Sequence, residues 1–130
     1  MSHKNEREYW IKRKGRTKLT DTAPEVALDE IASLCGFPIS KPKPVMIDGF
    51  DFRPDRLIRD FYVEALGQYH FTDLQESKTR RRSRAIVDAT GKRLLLIDAP
   101  LLTDKKYQHH VIREIVSFAL GTEDIGRVWA

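Results

Sequence analysis

At 130 residues, with 41% hydrophobic and 32% charged positions, the chain has the size of one globular domain with a modest core and a heavily charged surface. No apolar run reaches the roughly eighteen residues a membrane span needs, and no signal-peptide pattern opens the sequence, so no membrane partner is expected. Cys35 is the single cysteine, which excludes an internal disulfide and suits a reducing, cytoplasmic compartment.

Net charge is +4, yet the cations are clustered. One cluster is KNEREYWIKRKGRTK at 4–18 and the other is KTRRRSR at 78–84. Clusters of this kind favour polyanions, nucleic acid above all. Residues 1–19 read as a basic arm around Tyr9, Trp10 and Ile11, with 20–130 as the globular domain. Such an arm orders on a partner, nucleic acid or protein. Trp10, beside Lys12, Arg13, Lys14 and Arg16, offers either a ring for a base or an anchor onto its own domain.

Helix signals follow: Thr20 or Asp21 as cap, Pro24 in the first turn, Ala27, Leu28, Ile31 and Leu34 on one face, and Gly36 as the stop. Cys35 falls on a core position of that helix. The stretch GFPISKPKPVMIDGFDF, with three prolines and two glycines, is a connector with at most a short strand at 45–47. A second helix is expected from Pro54, with Asp55 at its positive end, an apolar face of Leu57, Ile58, Phe61, Ala65 and Leu66, and Gly67 closing it. YHFTDLQ at 69–75 alternates like a strand.

SRAIVDATGKRLLLIDAP, residues 83–100, reads as two strands joined by a tight turn. LLLI is apolar on consecutive positions, as in a central strand covered on both faces. Thr103 and Asp104 cap a third helix with Tyr107, Val111, Ile112, Ile115, Val116 and Ala119 on its buried side. Gly121 ends it, and GRVWA adds a last short strand.

From residue 54 onward this order is helix, strand, strand, strand, helix, strand. It resembles the core of the restriction-endonuclease-like, PD-(D/E)xK superfamily, its transposon-end-cleaving and phage DNA-end-processing branches most. The expected fold is therefore α/β, with α+β as the alternative: a small mixed sheet of three or four strands with a β-hairpin, flanked by helices. Members of that family run from a hairpin turn into a strand of the type liEvK, with an earlier Asp on the preceding strand. Their chemistry needs two carboxylates around a divalent cation such as Mg²⁺ and a lysine beside the attacking water. Carried onto GKRLLLIDAP, the acid is Asp98, the lysine position is Pro100, and the earlier Asp falls near Ser83 or Arg84, so two of the three groups are missing. A second placement uses Pro54-Asp55 with Glu76 and Lys78, although an Asp that opens a helix would cap it.

HHVIREIVSFALG is similar to a zinc-protease helix, but Arg113 and Ser117 hold the two histidine positions, and adjacent His109 and His110 cannot face one ion. No metal site is expected from it. Three functions remain. The preferred one is a nucleic-acid-binding protein, DNA before RNA, without catalysis or cofactor of its own. It would contact phosphates through Lys78, Arg80, Arg81, Arg82 and Arg84, through Lys92 and Arg93 at the turn, and through the arm. The alternatives are a nuclease using Mg²⁺ with rearranged ligands Asp98, Asp88 and Glu76, and a protein-interaction subunit docking through the arm.

Overall fold

A computed structural model of the chain describes residues 22–67 and 73–130. The arm at 1–19, with Lys12, Arg13, Lys14 and Arg16, and residues 69–72 of the strand expected at 69–75 lie outside these residues. The first helix, α1, spans Ala23–Cys35. Its cap is Thr22, one residue beyond those expected, and the cap is reciprocal. Glu25 N donates to Thr22 Oγ1, and the Glu25 carboxylate accepts from Thr22 N at 3.1 Å. A cap of this kind stabilises a helix by about 1 kcal/mol. Gly36 ends it at φ 73°, a left-handed conformation that costs glycine nothing.

Six short strands and three helices follow: β1 Ile39–Ser40, β2 Val45–Ile47, β3 Phe50–Phe52, β4 Arg56–Ile58, β5 Phe61–Leu66, α2 Asp73–Thr90, β6 Arg93–Asp98, α3 Pro100–Thr103 and α4 Gln108–Leu120. A 3₁₀ turn at Lys105–Tyr107 precedes α4, and β7, Ile125–Val128, closes the order. The main sheet runs β1-β4-β5-β6-β7, while β2 and β3 pair as a separate hairpin. The β1–β4 and β4–β5 pairs are antiparallel, and β5–β6 and β6–β7 are parallel. The chain is thus α/β with a mixed sheet flanked by helices, with five strands in place of three or four.

Three expectations are overturned. Residues 54–66 form the β4–β5 hairpin, not a helix. Leu57, Ile58, Phe61, Ala65 and Leu66 satisfy a helical spacing by coincidence, because this sheet is covered on both sides and apolar residues need not alternate. Arg59, at φ 53°, and Asp60 make the tight turn between Ile58 and Phe61. Residues 83–90 are the second half of α2, and DATGKR is its end, so the expected 83–100 hairpin does not form. Gly91, at φ 70°, donates its N–H to Val87 O and stops the helix. Residues 73–75, the described part of the strand expected at 69–75, open the same helix.

β6 is the central strand that LLLI implies, and its side chains divide the core. Leu95 and Ile97 join Phe61, Val63, α1 and α4 on one face. Leu94 and Leu96 join Tyr62, Leu66, Ile86 and the β2–β3 hairpin on the other. On the first face α4 packs so closely that a Cβ on Gly126 would lie 2.8 Å from the Phe118 ring. Cys35 packs against this first core, as its position predicts, and burial pushes its thiol up. No helix among the described residues is long and apolar enough to cross a membrane.

Candidate functional site

The parallel strands β5, β6 and β7 end together, and the α2 side of those ends carries nearly all the buried charge of that face. One step beyond the Arg56–Val63 pair, Asp55 stands opposite Glu64 across the hairpin. Residues directly opposite share a face, so the register forces two carboxylates side by side. Asp55 Oδ2 accepts from Ala65 N at 2.7 Å. Arg82 reaches down from α2 and donates to both Glu64 oxygens, at 2.8 and 3.1 Å. Its guanidinium also lies 5.3 Å from the Phe52 ring centre and 5.9 Å from that of Phe50, on the β2–β3 hairpin. Burial works against the Arg82 charge, but the hydrogen bond to Glu64 and the fields of Glu64 and Asp55 outweigh it and raise its pKa. Neighbouring like charges repel, and the Arg82 guanidinium, bound to Glu64 and within the field of Asp55, offsets that repulsion.

A second cluster lies two strands away. Asp98 ends β6, almost fully buried, and accepts from Arg127 Nε at 2.8 Å and from Arg127 Nη2. Arg127 Nη1 donates to Glu76 Oε2 of α2 at 2.9 Å, and Ala130 N donates to Asp98 Oδ2 at 2.8 Å. Glu76 Oε1 is buried with no hydrogen-bond partner among the described residues. Trp129 lies over Arg127, with the guanidinium 3.8 Å from the ring centre.

The expected ligands Asp98, Asp88 and Glu76 therefore do not gather around one ion. Asp98 and Glu76 share Arg127, a cation, while Asp88 pairs with Arg84 toward the other end of α2. No group of three His, Cys, Asp or Glu among the described residues is placed to hold a metal. Asp55 belongs to the site, but as the start of a strand. Its partner is Glu64, which the sequence reading missed, and not Glu76 with Lys78. The tight hairpin hidden in PDRLIRDFYVEAL was the available signal.

The arginine run, placed on a helix, fans out at about 100° per residue. Arg82 turns inward, and Arg84 pairs with Asp88 and with Asp124, at 2.7 Å from the latter. Arg93 is engaged too, donating to Glu123 O and Phe118 O and stacking 4.2 Å over the Phe118 ring. Lys78, Arg80 and Arg81 are exposed on α2 and form no ion pair among the described residues, and Lys92 is exposed just beyond its end. His109 and His110 lie on α4, as a surface pair. No family model, curated protein or solved structure matches the chain.

Proposed function

We infer that the chain binds nucleic acid, DNA in preference to RNA, through α2, on a nuclease-like core that carries no cleavage chemistry. The observation that carries this reading is the division of labour within one helix. Arg82 and Arg84 are consumed by carboxylates, whereas Lys78, Arg80 and Arg81 stand exposed with no counter-charge among the described residues. Cations spread round the outer side of one helix suit a phosphate backbone, which gains by releasing its counterions.

The likeness to the PD-(D/E)xK core is supported only by the order of the elements, since the helix at 54–66 and the hairpin at 83–100 that first suggested it do not form. α1, β1, β4, β5, α2 and β6 run helix, strand, strand, strand, helix, strand, with the β2–β3 hairpin inserted after β1. FYVEAL of β5 follows a hairpin turn, as liEvK does. Glu64 then takes the acid position, Asp55 the earlier Asp, and Leu66 the lysine position. The residues present do not fit a hydrated divalent cation and its attacking water. Both Glu64 oxygens are held by Arg82, Asp55 Oδ2 is held by Ala65 N, and Leu66 has no amine. No cleavage step follows from this geometry.

The test is fluorescence anisotropy with labelled single- and double-stranded DNA and RNA across a salt series. The wild type is compared with a Lys78→Ala/Arg80→Ala/Arg81→Ala variant. Affinity should fall steeply with salt, and the variant's slope on duplex DNA should be shallower by roughly 0.9 for each phosphate left without its cation. Absence of binding at low salt would retire this function and leave the protein-partner reading. Mg²⁺- or Mn²⁺-dependent cleavage by the wild type, abolished in Glu64→Gln, would overturn its non-catalytic half.

A further inference from the structure

We propose that Trp129, backed by Arg127 and neighboured by Arg80, is a stacking platform for an unpaired nucleobase of single-stranded DNA. This rests on the nucleic-acid reading and narrows it to the form of the strand. Trp129 is a large aromatic residue left 58% exposed, just beyond β7. A surface tryptophan usually turns its ring onto apolar neighbours, but this one lies on a guanidinium at 3.8 Å. Arg127 is itself fixed by Asp98 and Glu76, so the ring rests on an immobile base while more than half of the residue stays open to solvent. Trp129 also walls a cleft of about 100 Å³, with Leu96 and Ile125 as its apolar lining and Glu76, Arg80 and Arg127 among its polar side chains.

Charge complementarity selects the occupant. Arg80 flanks the cleft and Arg81 follows it round the outer side of α2, so a strand whose phosphates cross the helix there brings a base within reach of the ring. A duplex keeps its base faces stacked on one another, whereas an unpaired base has a free face, and aromatic side chains accept any base by that face. The guanidinium beneath the ring adds a cation to the stack.

The experiment uses the full chain carrying Trp10→Phe, which leaves Trp129 as the remaining tryptophan of two. Single-stranded oligodeoxynucleotides should quench its emission, and an abasic phosphodiester of equal length should not. In an otherwise wild-type chain, Trp129→Ala should bind the base-bearing strand roughly tenfold more weakly or worse. Its affinity for the abasic strand and its salt slope should be unchanged. Trp129→Phe keeps a ring and should retain the preference for bases, which separates loss of stacking from loss of fold. Equal wild-type affinity for base-bearing and abasic strands, with salt-dependent binding intact, would overturn the platform alone. Binding to neither strand would overturn the platform and the nucleic-acid function together.

Discussion

Two guanidinium clusters stand on the same face of the sheet, and they differ in what surrounds the cation. Arg127 has a side chain only 11% exposed, with a carboxylate below it, a second beside it and an indole above. Arg82 is 36% exposed, and its neighbours are one carboxylate held at both oxygens, a second within its field, and two aromatic rings. The first cluster ties β6, β7 and α2 together at the point where they meet. The second neutralises two acids that the β4–β5 register forces into proximity. Burial makes one a clamp, and partial exposure leaves the other able to respond to its surroundings.

The sharpest way to break this comparison is Asp98→Ala. It leaves a buried guanidinium with Glu76 alone, and removing one member of a buried ion pair costs about 3–5 kcal/mol. For a chain of this size the melting temperature should drop by roughly 10 °C or more, measured by calorimetry. Asp98→Ala combined with Arg127→Met and Glu76→Gln should recover much of that loss, because no uncompensated charge is then left in the cluster. A drop of a degree or two in the single variant would mean that the cluster is open to water and that the contrast with Arg82 is false.

Arg82→Ala should cost less, about 1.5–3 kcal/mol for two hydrogen bonds to a charged group, moderated by its exposure. It should also change the character of the site. With the guanidinium removed, Asp55 and Glu64 face one another as like charges. Mn²⁺ in the millimolar range should then raise the melting temperature of Arg82→Ala, while leaving the wild type and Arg82→Ala/Glu64→Gln unmoved. An equal Mn²⁺ response in all three proteins would show that the cation acts elsewhere.

The same contrast explains what the sequence disclosed. The central strand was legible because LLLI satisfies two cores at once, and α1 and α4 were legible because each buries one stripe. The helix carrying Arg82 was not. Two positions of its inward face are Thr79 and Ser83, which are polar, and Ser83 Oγ satisfies itself by donating to Thr79 O at 2.7 Å. With the stripe interrupted, Ala85-Ile86-Val87 stood out as a strand and Gly91 as its turn. The β4–β5 hairpin was hidden for the opposite reason, since an apolar run covered on both faces has no alternation to reveal its period. Asp48-Gly49 was legible and underused: both residues have positive φ, and they form the two-residue turn between Ile47 and Phe50. The pairing of Asp55 with Glu64 depended on that hairpin register, so it was lost with it. Asp98, by contrast, stood out as an acid at a strand end, but its role depends on Arg127, twenty-nine residues later.

The smallest expected effect completes the series along α2, where Arg84 meets Asp124 at the surface, both about half exposed. The hydrogen bond from Arg84 holds the Asp124 carboxyl below the usual range; burial works against it, and the Arg84 charge and hydrogen bonds from the Asp124 and Ile125 backbone add to it. A group whose pKa is depressed on folding contributes stability above its unfolded pKa and loses that contribution as pH falls through the folded one. Asp124→Asn should therefore lower the melting temperature slightly at neutral pH. The difference from wild type should shrink on acidification through and below the normal carboxylate range, and also in high salt, which screens exposed pairs. A difference that persisted unchanged at acid pH would trace instead to the loop before β7, where Asp124 O accepts from Leu94 N, and not to the ion pair. Arg84 would then be held in solution by Asp88 alone and would stand closer to the exposed cations Lys78, Arg80 and Arg81, enlarging the surface open to phosphate.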